Sequence, residues 1–172
     1  MAQKKPLDTP VPPLPENEDQ RLAALRACAI VGSPREPYFD RLTGLAAKLF
    51  DAEMSLISLV EKDRQWFKSA TGIDVSETPR QVSFCAHVLL CNSAMVVTDA
   101  REDPRFSANP LVTGAPHIRF YAGAPLTTFD GFHLGALCVI DSKPRPAGLS
   151  EKEVSILSDL AALVMHEIEK GR

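Results

Sequence analysis

RFYAGAPLTTFDGFHLGALCVI, Arg119 to Ile140, is the stretch on which the fold turns. Two apolar runs, Arg119 to Leu126 and His133 to Ile140, flank Asp130-Gly131, a pair that favours tight chain reversal, and so predict a β-hairpin. Toward the N-terminus, Met54 to Val60 is dense in apolar and β-branched residues, Glu61-Lys62-Asp63-Arg64 is a polar turn, and Gln65 to Ala70 resumes an extended pattern. That is a second hairpin, with Trp66 and Phe67 expected in core and sheet cover. Between the hairpins, Thr71 to Ile118 is interrupted by Pro79, Pro104, Pro110 and Pro116. Only Ala94 to Thr98 reads there as a strand and Phe84 to Leu90 as a short helix. A long irregular segment in a compact domain usually carries function or covers a cavity.

Helices are predicted at both ends of the chain. Ser150 with Glu153 forms a capping box, and Gly171 stands where a helix would end. Val154, Leu157, Ala161, Val164 and Ile168 fall at helical spacing, with Ile156, Leu160 and Leu163 as a second stripe beside them. The sheet can bury one stripe, which leaves the other for the N-terminal helix, a second subunit, or both. Ile156, Leu160, Leu163 and Val164 are therefore the candidates for a homodimer interface. Near the start, Glu16, Glu18 and Asp19 open a helix carrying Leu22, Leu25 and Ala29 that should stop near Gly32-Ser33-Pro34. A second helix should run from Pro37 to about Asp51, with Tyr38, Leu42, Leu45 and Leu49 on its apolar stripe. Residues 1–15 hold five prolines and two adjacent lysines and are expected to form a flexible arm ahead of a single domain over 16–172. With no βαβ alternation, the expected class is α+β: an antiparallel sheet with helices on one face and loops on the other.

Apolar residues at 45% and charged residues at 24% of 172 give the balance of a soluble globular domain. A formal net charge of −3 supplies no positive field for a phosphate backbone, so nucleic acid is not an expected partner. No apolar run approaches the ~20 residues of a membrane span, and Met1 to Pro15 lacks a secretory core. A cytoplasmic protein is expected, with Cys28, Cys85, Cys91 and Cys138 reduced. Cys85, His87 and Cys91 lack the paired short spacings of a structural zinc site, so no metal is expected.

The usual catalytic signatures, G-x-x-x-x-G-K-[ST], G-x-G-x-x-G, H-E-x-x-H and G-x-S-x-G, are all missing. The irregular segment does hold a polar cluster: Arg80, Ser83, Cys85 and His87, then Asp99, Arg101, Asp103 and Arg105, then His117, Arg119 and Tyr121. A segment folded back over a sheet can bring such groups around a small anion or amide. Each has a structural alternative. Asp99 and Asp103 are placed to cap turns, Arg119 to pair with one of them, His87 to sit satisfied in the interior, and Cys85 and Cys138 to pack as inert thiols.

Six blocks recur in a characteristic order: Arg64-Gln65-Trp66-Phe67-Lys68, Ser83-Phe84-Cys85-Ala86-His87, Asp103-Pro104-Arg105-Phe106, Asn109-Pro110-Leu111-Val112, Arg119 to Leu126, and Gly135-Ala136-Leu137-Cys138-Val139-Ile140-Asp141. Together they resemble a GAF domain of the bacterial signalling type, the kind found ahead of diguanylate cyclases and sensor histidine kinases, over roughly Glu16 to Glu169. The resemblance implies a GAF-like central antiparallel β-sheet and a terminal-helix layer that commonly dimerises. On the other face it implies a ligand pocket roofed by the segment between the hairpins, lined here by Phe84, Cys85, His87, Asp99, Asp103, Phe106, Arg119 and Tyr121. The ligand or cofactor is left unknown, because such domains take cyclic nucleotides, tetrapyrroles, haem, small acids or amino acids, and some take nothing.

Departures from the family patterns narrow that list. The N-K-x-F-x-x-x-D-E signature of cyclic-nucleotide binders has no match, and Ala86 separates Cys85 from His87 where bilin binders often carry an adjacent Cys-His pair. Ser107 to Ile118 contains no cysteine, the position of the catalytic thiol in the free methionine sulfoxide reductases of the family. The implied function is a non-catalytic, small-molecule-sensing or regulatory domain that accepts a small cytosolic metabolite and signals through its terminal helices. The chain ends at Arg172, just after the last helix, so the output is expected from a separate signalling protein or the chain is an excised domain. Two alternatives stand beside this: a thiol-dependent, free methionine sulfoxide reductase-like enzyme with Cys85 as nucleophile and Cys91 as resolving thiol, and a ligand-free dimerisation scaffold.

Overall fold

The computed structural model describes residues 8–170. Gly171 and the first seven residues of the expected arm therefore lie outside the described residues. Two helices, α1 (Glu18–Cys28) and α2 (Pro37–Leu49), precede the first hairpin, β1 (Met54–Val60) and β2 (Arg64–Thr71). The irregular segment holds a short strand β3 (Glu77–Pro79), a single turn of helix α3 (Cys85–Val88), β4 (Met95–Val97) and another single turn, α4 (Pro110–Thr113). The second hairpin, β5 (Phe120–Thr127) and β6 (His133–Asp141), leads to the long helix α5 (Glu151–Lys170). All pairings are antiparallel, and the six strands run in the order β3-β2-β1-β6-β5-β4.

The two hairpins meet along β1 and β6, where Ser58 faces Ala136 and Leu59 faces Gly135. A Cβ on Gly135 would lie 1.8 Å from the Ser58 carbonyl oxygen, so only glycine permits that approach. Strand alternation then feeds two cores. Ile57, Leu59, Phe120, Ala122, Leu137 and Val139 point to the face covered by α1, α2 and α5. Leu56, Val60, Tyr121, Ala136, Cys138 and Ile140 point to the face covered by the irregular segment. The expected α+β class, with helices on one face and loops on the other, is the observed one.

A bulge between Ile57 and Ser58 of β1 places Ile57 opposite Ser69 and Ser58 opposite Phe67, leaving Lys68 as the extra residue. Lys68 and Ser69 thereby both reach the helix side. The buried Lys68 ammonium donates to Ser33 Oγ at 2.8 Å and to the Pro34 carbonyl, and pairs with Glu36 at 2.7 Å. This draws residues 30–36 onto the sheet and accounts for a correction: α1 ends at Cys28, with Ala29 in a left-handed conformation, before the Gly32-Ser33-Pro34 stop. The stripe on α2 also needs correcting. Phe39, Leu42, Thr43 and Ala46 are buried, while Tyr38, Leu45 and Leu49 are exposed. The Thr43 hydroxyl bonds Ser69 Oγ and Thr71 Oγ1, each at 2.8 Å, and turns that polar face inward.

At the start of α5, Glu153 N–H donates to Ser150 Oγ at 3.1 Å and Ser150 N–H to Glu153 Oε1 at 3.0 Å, the expected capping box. Leu160 and Val164 belong to the helix-side core and offer no surface to a partner. Of the four interface candidates, only Ile156, half-buried, and Leu163, 46% exposed, keep an outward face. Residues 8–15 form no regular element, yet Thr9 and Pro12 are buried, so this part of the expected arm lies against the domain. It is followed by a buried ionic knot: Arg21 donates to Glu18 and to the Val60 carbonyl at 2.8 Å, and Arg80 donates to Glu18 and to the Glu61 carbonyl at 2.9 Å. Burial alone would raise the Glu18 carboxyl, but hydrogen bonds from Arg21 and Arg80 hold it down at about 2. Among the described residues, no helix is long and apolar enough to cross a membrane.

Candidate functional site

The irregular segment closes over the sheet without filling the space beneath it. A cavity of about 370 Å³ remains, floored by Met54 and Leu56 of β1, Gln65 and Phe67 of β2, Tyr121 of β5 and Ile140 of β6. Phe84 and Cys85 form one wall, Ile73, Val75 and Thr78 another, and Leu111, Ala115, Pro116 and Ile118 the lip. A larger groove of about 720 Å³ runs beside α1, lined by Leu22, Leu25, Ala29 and Val31 together with the charged Arg26, Glu61, Lys62, Asp63 and Arg64.

The cavity wall is built by aromatic packing. Phe84 stacks on Phe106 with centroids 4.0 Å apart and lies 5.2 Å from the Tyr121 ring. The Tyr121 ring folds over Gly123, two residues along the same strand face, where a Cβ would come within 2.4 Å of its hydroxyl. That posture brings Tyr121 Oη to 3.0 Å from Cys85 Sγ. Hydrogen bonding from Cys138, then Tyr121 and Ser58, pulls the Cys85 thiol down against the opposing effect of burial, while burial pushes Cys138 and Tyr121 up. The thiol that meets Cys85 is thus that of Cys138. Cys91, the expected resolving partner, donates instead to the His87 carbonyl at 3.6 Å.

A polar seam crosses the floor. Gln65 Oε1 accepts from Ser58 Oγ and Ser83 Oγ, both at 2.8 Å, and Gln65 Nε2 donates to Thr78 Oγ1 at 2.6 Å. Ser83 Oγ also accepts from Ala86 N–H at 3.0 Å, which pins the start of α3 to the strand below. The roof is held by Asn109, whose Nδ2 donates to the Val82 carbonyl at 3.0 Å and whose Oδ1 accepts from Leu111 N–H at 2.9 Å.

Of the eight residues expected to line the pocket, Phe84, Cys85 and Tyr121 do so. Phe106 stands behind Phe84. His87 packs edge-on against Phe106 at 4.9 Å, and burial, with the Arg105 charge, lowers it to about 4, so it is a neutral interior imidazole. Asp99 accepts from the Arg101 backbone N–H and guanidinium, and Asp103 does the same with Arg105 two residues on. Both are turn caps with a paired arginine, the structural alternative. Arg119 donates to the Val112 carbonyl at 2.8 Å and the Ile118 carbonyl at 3.2 Å, tying α4 to the strand in place of an ion pair with either aspartate. Asp99, Asp103 and Arg119 share a reason: short-range backbone partners satisfy them before any ligand is needed. Gln65, Thr78 and Leu111 are among the lining residues outside the expected set. An interior glutamine beside Trp66 and Phe67 was the available signal.

The GAF domain family model matches residues 34–168. A cyclic di-GMP phosphodiesterase of Pseudomonas aeruginosa is 43% identical over 161 residues, covering 94% of this chain and 27% of that protein. The chain therefore spans about a quarter of the length of that curated relative. The GAF domain of an Acinetobacter phosphoenolpyruvate-protein phosphotransferase superposes with a TM-score of 0.64 at 19% identity, over 88% of this chain and 94% of that one. A type II free methionine-R-sulfoxide reductase from Thermoplasma acidophilum superposes at 0.56 and 15% identity, over 88% and 94%. These two share the fold. With a six-stranded antiparallel sheet, one helical face and a roofed cavity on the other, and a family match across most of its length, this chain belongs to the GAF domain family.

Proposed function

We propose that this chain is a ligand-sensing regulatory domain of a cyclic di-GMP signalling protein, non-catalytic in itself and working in the cytoplasm as a homodimer. The observation that carries this reading is the roofed cavity opposite the terminal-helix layer, supported by the relationship to a cyclic di-GMP phosphodiesterase. The sheet between them is one strand thick. Leu56, Tyr121 and Ile140 touch the cavity, and their chain neighbours Ile57, Phe120 and Val139 pack in the helix-side core with α5. A ligand with different affinity for two arrangements of the strands would bias α5 by that difference. Ile156 and Leu163 of α5, with the exposed Tyr38, Leu45 and Leu49 of α2, are apolar positions on these two helices available to a second copy. A reductase role has less support, because Cys85 is 2% exposed and faces Tyr121 and Cys138.

Native mass spectrometry of the purified chain, followed by denaturing release, tests the reading. A dimer carrying a discrete small mass is expected, and Leu111→Trp, which fills the cavity, should arrive without that mass. A wild-type chain that shows no retained mass and no thermal stabilisation by any metabolite pool would refute it; about 2.7 kcal/mol of stabilisation is expected at one hundred times Kd.

A further inference from the structure

The cavity lining contains no Asp, Glu, Lys, Arg or His. Charged side chains that adjoin the lining in sequence are engaged elsewhere: Arg64 with Glu61 and Glu77, Lys68 with Glu36 on the helix side, Arg119 with the Val112 and Ile118 carbonyls, and Asp141 with Arg145, while Asp74 and His117 are exposed to solvent. A phosphate or carboxylate placed here would lose its water and find no counter-charge. The polar atoms that do face the space are also largely taken up. Gln65 Oε1 already accepts from two serine hydroxyls, and Tyr121 and Cys85 are joined to each other. Among the described residues, the second amide N–H of Gln65 has no acceptor. Thr78 Oγ1 accepts from Gln65, so its own hydrogen is left to donate. Both unused groups are donors, on two lining residues whose polar atoms lie 2.6 Å apart in an otherwise largely apolar lining.

We infer that the cavity takes an uncharged, largely apolar ligand bearing one hydrogen-bond acceptor, a carbonyl or ether oxygen, directed at Gln65 and Thr78. The inference rests on the cavity being the ligand site proposed above. About 370 Å³ equals roughly a dozen water volumes at ~30 Å³ each, the size of a one- or two-ring molecule. Cyclic di-GMP, with two phosphates and two purines, is wrong for this site in both charge and size. The domain would then report an apolar metabolite to a cyclic di-GMP protein and would not sense the dinucleotide itself.

Fluorescence titration of the full chain with three probes tests the class. The neutral ketone dye 6-propionyl-2-(dimethylamino)naphthalene should bind with blue-shifted emission. The anionic 8-anilinonaphthalene-1-sulfonate should bind at least roughly 100-fold more weakly. Cyclic di-GMP at millimolar concentration should displace nothing. Thr78→Val should weaken the ketone dye roughly three- to tenfold and leave N-phenyl-1-naphthylamine, which has no carbonyl, unchanged. Circular dichroism establishes that each variant is folded. Equal binding of the sulfonate, displacement by cyclic di-GMP, or indifference of the ketone dye to Thr78→Val would overturn the ligand class while leaving the site intact. Failure of Leu111→Trp and Ile73→Trp alike to block a dye that the wild-type chain binds, or no binding of any probe, would overturn the site itself and this inference with it.

Discussion

The two faces of the sheet draw on the same strands and end differently. On the helix face, α2 and α5 present long, regular rows of side chains that interdigitate with Ile57, Leu59, Phe120 and Val139. On the other face the cover is a series of single turns, and its shape is set by side chain–backbone bonds from Ser83, Asp99, Asp103, Asn109 and Arg119. Bonds of that kind satisfy polar groups locally without demanding close packing, and a cavity of about 370 Å³ is what remains. Regular elements make a core, and irregular ones held by polar staples make a pocket.

The contrast can be broken most forcefully at matched leucines. Leu157→Ala, in the fully buried helix face, should cost about 2–5 kcal/mol in denaturant melts. Leu111→Ala, at a lip that already borders empty space, should cost less than about 1 kcal/mol. Equal costs would mean that the roof is as tightly packed as the helix layer.

Acid should strain both faces in sequence. His87 is lowered from 6.5 to about 4, so its neutral form is favoured by folding. Its contribution is complete above about pH 6.5 and is lost as pH falls through 4. Glu18 is lowered from 4.5 to about 2, so its contribution is complete above about pH 4.5 and is lost as pH falls through 2. Solvent screening of these partly exposed groups keeps each contribution to about 1–2 kcal/mol. His87→Phe should flatten stability between pH 6.5 and 4, and Glu18→Gln between pH 4.5 and 2, as read from thermal midpoints across that range.

The most localised of these effects sharpens the comparison. Asn109→Ala removes one buried bond to Val82 and the cap on α4, for about 1–3 kcal/mol globally. Hydrogen exchange should show that the loss is concentrated in the roof, with the α5 amides keeping their wild-type protection.

Both hairpins, the strand at Ala94 to Thr98 and the capped α5 were legible in the sequence, because alternation, turn chemistry and a capping box are local signals. The irregular segment was legible as a cover, and Phe84, Cys85 and Tyr121 as its lining. The charged half of the expected site was not. Asp99, Asp103 and Arg119 have the chemistry of ligand contacts, and only the folded chain shows that backbone N–H groups, arginines two residues away and carbonyls already engage them. The α2 stripe misled for a related reason: helical spacing marks Tyr38, Leu45 and Leu49 as one face, but hydroxyl bonds from Thr43 to β2 choose another.

By itself, then, the sequence determined the α+β class, the family and the side of the sheet that the irregular segment covers, since these follow from periodicity and from motif order along the chain. Tertiary structure alone decided which stripe of each helix is buried, that Leu160 and Val164 are core positions, and that the cavity is lined by uncharged groups with two spare donors. Those outcomes depend on which groups meet across the fold, through the Lys68 bulge, the Gly135 approach and the Gln65 seam, and contacts between distant residues leave no periodic trace in one chain.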